Sequence, residues 1–182
     1  SYKICSLSAR VDSVLMWSHY GHNHTGFAME YDFTSLHRNE LPTLTLWPVA
    51  YTDKLFDITH ILKAHRLGKD YNELFGIAAS LCKAVDWQYE REWRWVIPDG
   101  DRELKGFNRR APLKAVHLGA KISDAHALEI LSICSEIGIP VYKVTLAPNE
   151  FRMISLPTSL DDWCSMNGRQ QGNIPREWMM QE

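Results

Sequence analysis

Cysteine is scarce in this chain, and the four present, Cys5, Cys82, Cys134 and Cys164, stand far apart with no C-x-x-C pair. That spacing speaks against a zinc knuckle and against a dense disulfide framework, so reduced structural thiols are expected. Long apolar runs are missing too: none approaches the roughly 18 to 20 residues that span a bilayer. The opening Ser1-Tyr2-Lys3-Ile4-Cys5 also lacks a charged stretch followed by a long apolar one. A cytoplasmic protein without a membrane partner is expected. Neither charge is in excess, since 20 Lys+Arg against 22 Asp+Glu leave a net charge of −2. Bulk electrostatics therefore advertise neither nucleic acid nor an anionic surface, and partners have to be argued from local patches. What remains is a 182-residue chain, 45% hydrophobic and 23% charged, able to bury a core and unlike a disordered or fibrous sequence.

Tyr2 to Ser8 alternates as a short strand, so the chain starts directly in an element, as the C-terminal part of a longer protein would. Asp12 or Ser13 can cap a helical turn over Val14 to Tyr20, Gly21 to Gly26 breaks it, and Phe27 to Asp32 resumes as a strand. Pro42 to Tyr51 is a β-rich run that Pro48 marks as an edge or a bulge. Helical spacing follows from Ile58 to Val85, in two helices separated by Gly68. Asp86 to Pro98 switches to alternation, and Leu113 to Leu118 is a compact apolar strand. A helix capped by Ser123 or Asp124 and closed by Gly138 leads to a strand over Val141 to Leu146. The fold class is therefore α+β: a mixed, mostly antiparallel sheet flanked by helices, with a C-terminal βαβ unit. A single domain over 1–156 is expected. Residues 157–182, polar and sparse in apolar side chains, read as a poorly packed tail with some helix at Arg176 to Gln181.

The segment Trp87-Gln88-Tyr89-Glu90-Arg91-Glu92-Trp93-Arg94-Trp95-Val96 carries most of the chemistry. Read as one strand, it puts Trp87, Tyr89, Arg91, Trp93 and Trp95 on one side and Gln88, Glu90, Glu92 and Arg94 on the other. Two carboxylates about 7 Å apart along a strand repel each other. One pKa then rises, which is how a site obtains both an acid and a base. Arg94 can hold one of them ionised, and the tryptophans supply water-poor walls. The competing reading is a cross-strand ladder of ion pairs on a solvated sheet face.

A second constellation, Trp17-Ser18-His19-Tyr20 with His22 and His24, brings three imidazoles to short spacing. Without a cysteine or a nearby carboxylate pair the metal reading is poorly specified, and no metal is expected. Trp17, His19 and Tyr20 better suit stacking and hydrogen bonding to a planar ligand, unless Trp17 is core. The basic loop Arg102, Lys105, Arg109, Arg110 and Lys114 is diluted by Asp99, Asp101 and Glu103. Val116-His117-Leu118-Gly119, lacking a glycine-rich fingerprint, reads as structural.

Taken in order, Cys5-Ser6-Leu7-Ser8, Leu15-Met16-Trp17-Ser18-His19-Tyr20 with His24-Thr25-Gly26-Phe27, Trp87 to Arg94, and Ala115 to Gly119 resemble a bacterial family known as domain of unknown function 2971. The likeness covers residue 2 to about residue 147. Members usually carry a further N-terminal region with an asparagine-aspartate-proline motif, which this chain lacks. A more distant likeness is to ADP-ribosyltransferases, whose catalytic glutamate sits on a strand in a Q-x-E or E-x-E motif, as Gln88-Tyr89-Glu90 and Glu90-Arg91-Glu92 do. That resemblance implies NAD as substrate. It makes Glu90 or Glu92 the carboxylate that stabilises oxocarbenium-like charge as nicotinamide leaves, with His19 also in the catalytic set. Trp17 or Tyr20 would stack on nicotinamide, and Gln88, Arg94 and Ser8 would hold the substrate.

Three functions follow as expectations. The first is an NAD-consuming ADP-ribosyltransferase-like enzyme, a toxin or phage-defence effector, acting on a nucleotide-type small molecule with a protein or nucleic-acid acceptor. The second is a non-catalytic sensor module that binds a nucleotide or a protein, its carboxylates merely paired with arginines. The third is a metal-dependent nuclease, which needs a third acid such as Glu30 or Asp32.

Overall fold

The computed structural model describes residues 2–69, 74–98 and 111–167. The basic loop from Arg102 to Arg110 and the stretch 168–182, with the helix expected at Arg176 to Gln181, lie outside the described residues. The helices and the mixed, mostly antiparallel sheets are those of the expected α+β class. Two compact units make up the chain: Ser1–Ser13 with Asp32–Pro112, and Val14–Tyr31 with Leu113–Glu182.

The first unit contains strands β1 (Tyr2–Ser8), β3 (Leu46–Pro48), β4 (Ala50–Thr52), β5 (Cys82–Ala84) and β6 (Glu92–Pro98). Its helices are α2 (Leu41–Thr45), α3 (Thr59–Arg66) and α4 (Leu74–Ser80). Strand β6 is the centre of a three-stranded antiparallel sheet in the order β1-β6-β3. The β-rich run expected over Pro42 to Tyr51 begins instead as helix α2, because Pro42 falls in its first turn, where a missing N–H costs nothing. The alternation between Asp86 and Pro98 also divides. Val85–Glu90 is a 3-10 helix, Arg91 takes the left-handed conformation (φ +46°), and the strand begins only at Glu92. Trp87, Gln88, Tyr89 and Glu90 are therefore not strand residues, and the one-face row from Gln88 to Arg94 does not form. A left-handed arginine costs about 1 to 2 kcal/mol. The turn is pinned by the Ala9 amide donating to the Arg91 carbonyl (3.0 Å) and by the Ser8 hydroxyl donating to the Glu90 carbonyl (2.6 Å).

The second unit contains α1 (Val14–His19), β2 (Phe27–Tyr31), β7 (Leu113–Leu118), α5 (Asp124–Glu136), β8 (Val141–Leu146), β9 (Met153–Thr158) and α6 (Leu160–Asn167). Its sheet runs β2-β7-β8-β9, with β7 and β8 parallel and joined through α5, the expected βαβ unit. Ser123 caps α5 by accepting from the His126 amide. At the other end Gly138 adopts φ +70°, the Ile139 amide reaches the Cys134 carbonyl (2.8 Å), and the Gly138 amide reaches that of Ser135 (3.3 Å). This is the double closure that a left-handed residue after a helix permits. Val116, Leu118, Val141, Ala127 and Leu131 form the core between sheet and helix. The tail expected from residue 157 is corrected over its first part: β9 continues to Thr158, and Leu160 and Trp163 of α6 pack against that core.

Candidate functional site

In the first unit, four charged side chains converge where the 3-10 helix meets β6. Glu92 and Arg94 share a face of β6, opposite Ser8 and Ser6 of β1. Glu90, at the end of the 3-10 helix, is brought beside them by the left-handed turn at Arg91. Lys83 comes from β5, which pairs in parallel with β4 so that Tyr51 lies opposite it. The Lys83 Nζ donates to Glu90 Oε2 and, at 2.8 Å, to Glu92 Oε2. Arg94 reaches both oxygens of Glu92, Nε to Oε1 at 2.8 Å and Nη2 to Oε2 at 3.3 Å, and its Nη1 donates to the Ser80 carbonyl. The Tyr51 hydroxyl accepts from the Glu92 amide at 2.7 Å. Lys83 also lies 5.1 Å from the centre of the Trp87 ring, within cation–π range.

The carboxylates are almost fully buried, Glu90 at 2% and Glu92 at 5% exposure. Burial alone would push the Glu92 carboxyl upward, but hydrogen bonds from Arg94, Lys83 and Ser6 outweigh it and hold the pKa down at about 2. The raised carboxyl pKa expected from like-charge repulsion is thus not found at Glu92, because Lys83 stands between the two acids and Arg94 pairs with Glu92. Burial disfavours the Lys83 ammonium, yet its bonds to Glu90 and Glu92 leave its pKa raised. At neutral pH Glu92 is a fixed negative charge in a water-poor setting. It is unsuited to proton transfer at that pH, and its charge is matched by Lys83 and Arg94.

Of the residues singled out in the sequence, Glu90, Glu92 and Arg94 are brought together, and Ser8 supports them through the Glu90 carbonyl. Gln88 is exposed on the 3-10 helix. Trp17, His19 and Tyr20 belong to the second unit. There Trp17 is 4% exposed, so its ring is packing and not an open stacking face. Tyr20 is 63% exposed and meets His19 edge-on at 6.4 Å. His24 contacts the Ser18 hydroxyl at 3.0 Å, and its pKa is lowered by burial and by Lys121. No group of three His, Cys, Asp or Glu placed to hold a metal occurs among the described residues.

Sequence reasoning missed Lys83 and Tyr51. Both lie on three-residue strands whose parallel pairing spans about 30 positions and leaves no periodic trace. The only local signal was a lysine shortly before the tryptophan-rich segment.

An α+β chain with a buried cluster of two carboxyl and two basic side chains is the class that fold and site define. Residues 16–95 match the model of a family described as protein of unknown function, DUF2971, and this match supports the family assignment drawn from the M-W-S-H-Y and Y-E-x-E-W-R strings. No curated protein and no solved structure matches the chain. Among the described residues no helix is long and apolar enough to cross a membrane.

Proposed function

We propose that the chain is an ADP-ribosyltransferase-like enzyme that consumes NAD, with Glu92 as the carboxylate that stabilises the ribosyl cation. The observation that carries this reading is the state of Glu92: buried, ionised down to a pH of about 2, and on a strand flanked by the serine-bearing β1. Cleavage of the nicotinamide bond develops positive charge on the ribose, and a fixed anion in a dry site lowers that barrier with little reorganisation. Glu90, two positions earlier, is the group placed to meet an acceptor. Lys83 and Arg94 supply donors that suit a diphosphate. In the present arrangement Lys83 spans both carboxylates, so substrate has to exchange with its ammonium to reach Glu92.

The test is nicotinamide release from NAD by the purified chain and by a version that includes any upstream coding sequence. Glu92→Gln is expected to lower the rate by about 10² to 10³ while the circular dichroism spectrum is retained. Release that is unchanged in both Glu90→Gln and Glu92→Gln removes the assignment.

A second reading is supported by the saturation of the same groups. Carboxylates 2% and 5% exposed, each bonded to a cation, are also what a purely structural ion cluster presents, as in a non-catalytic binding module. That reading expects the same substitutions to lower the melting temperature with no turnover to lose. For the nuclease reading, Glu30, a candidate third metal-binding acid, is bonded to Lys114 and His117 in the second unit.

A further inference from the structure

On the sheet of the second unit, three side chains from three strands form a continuous line. His117, in the middle of β7 and 4% exposed, has Nε2 2.9 Å from Glu30 Oε2 on β2 and Nδ1 3.1 Å from the Ser155 hydroxyl on β9. The second oxygen of Glu30 accepts from Lys114 Nζ at 2.7 Å. The imidazole is stacked on the ring of Tyr142 from β8, with 5.2 Å between centres and 18° between planes, so its orientation is fixed on both edges and one face.

The proton positions follow from the partners. Bonds from Lys114 and His117 hold the Glu30 carboxyl below its ordinary pKa despite some burial, and an ionised carboxylate only accepts. Glu30 therefore fixes a hydrogen on Nε2, which in the neutral tautomer of His117 is the only one on the ring nitrogens. The lone pair of that tautomer is left on Nδ1, facing Ser155, whose hydroxyl donates. An alcohol donating to an imidazole whose far nitrogen is oriented by a carboxylate is the arrangement that activates a serine, and it is recognised by roles, not by chain order. The two imidazole nitrogens are exchanged relative to the usual assignment, which leaves the acid-base logic intact. The hydrogen bond from the Ala147 amide to the Arg152 carbonyl (2.9 Å) sets the alternation of the β8–β9 ladder. Counting from it, the Ser155 amide faces away from β8 at the edge of the sheet, on the side where an acyl oxygen can meet it.

We propose that Ser155, His117 and Glu30 form a serine-nucleophile site for carboxylic esters, distinct from the acidic cluster of the first unit. Ser155 Oγ bonds to the acyl carbon while its proton passes to His117 Nδ1. That proton then leaves with the alcohol as the ester bond breaks. Water next gives a proton to Nδ1 and its hydroxide to the acyl carbon, and Ser155 recovers its proton as the acid departs. Glu30 holds the imidazole and stabilises its charged form throughout.

A fluorophosphonate probe on the full chain tests this. Phosphonylation releases fluoride and leaves a single adduct, expected by peptide mass spectrometry on Ser155. Ser155→Ala is expected to abolish it, and Glu30→Gln to slow it by on the order of 10²-fold, each without loss of the folded circular dichroism signal. The ester p-nitrophenyl acetate should be hydrolysed with the same dependence. No adduct on the folded chain, an adduct elsewhere, or labelling indifferent to Ser155→Ala overturns the proposal. Because neither readout involves NAD, failure here leaves the reading of Glu92 standing, and the reverse holds as well.

Discussion

Replacing Glu92 by glutamine keeps the shape of the side chain and removes one charge from a cluster of two acids and two bases. In the folded protein its carboxyl sits at about 2, against an ordinary value of 4.5. That difference corresponds to about 3 kcal/mol favouring the fold at neutral pH. Glutamine cannot supply the charge, so the variant should unfold at a lower urea concentration at pH 7 and melt about 6 to 12 °C lower. The sign of the pH dependence is fixed by the depressed value. The contribution is complete above the unfolded value near 4.5 and is lost as pH falls towards 2, so it should be roughly halved, to about 1.5 kcal/mol, at pH 3. Parallel urea titrations of both proteins at pH 7 and pH 3 read this directly. Equal midpoints at pH 7, or a gap of the same size at both pH values, would refute the argument that Glu92 is held ionised by Arg94, Lys83 and Ser6.

Lys83→Met removes the ammonium that bridges the two carboxylates and should cost about 3 to 5 kcal/mol at pH 7, measured by urea unfolding. A loss below about 1 kcal/mol would mean the bridge is replaceable by water. Gly119→Ala should be costly for a steric reason. A Cβ there would run into the backbone carbonyls of His24 and Gly26, which are fixed because the Lys121 and Gly119 amides donate to them at 2.8 and 2.9 Å. Thermal melting should show a fall of several degrees, whereas an alanine at Gly119 that leaves the melt unchanged would show that this turn yields.

The parts of the fold that could be read from the sequence are those in which one local signal and one packing demand agree. Ser123 at the start of α5, Gly138 at its end and the apolar run Ala115 to Leu118 all point to one βαβ unit, and that unit forms. The tryptophan-rich segment failed for the opposite reason. Trp87, Tyr89, Trp93 and Trp95 alternate, but their spacing is interrupted by a left-handed arginine. A 3-10 turn has about three residues per turn, a period too short-lived over six residues to be seen. Nothing in the identity of Arg91 announces a positive φ. It is imposed by Ala9, which bonds the Arg91 carbonyl, and by Ser8 of β1, which reaches the preceding Glu90 across 82 positions. The candidate site was legible to the extent that Glu90, Glu92 and Arg94 were chosen and do meet. Lys83, which joins them, was not, because its approach depends on strand pairing between β4 and β5. The Glu30–His117–Ser155 line was equally invisible, since its members lie 87 and 38 positions apart.

The most direct measurement of the central claim is the time course of nicotinamide released from NAD, followed by chromatography for the wild type and Glu92→Gln, with a thermal melt of each sample. The account predicts release by the wild type and a rate about 10² to 10³ lower in the variant while both are folded at the assay temperature. Release that proceeds equally in a folded Glu92→Gln protein, or no release from the wild type with the variant merely less stable, would contradict it.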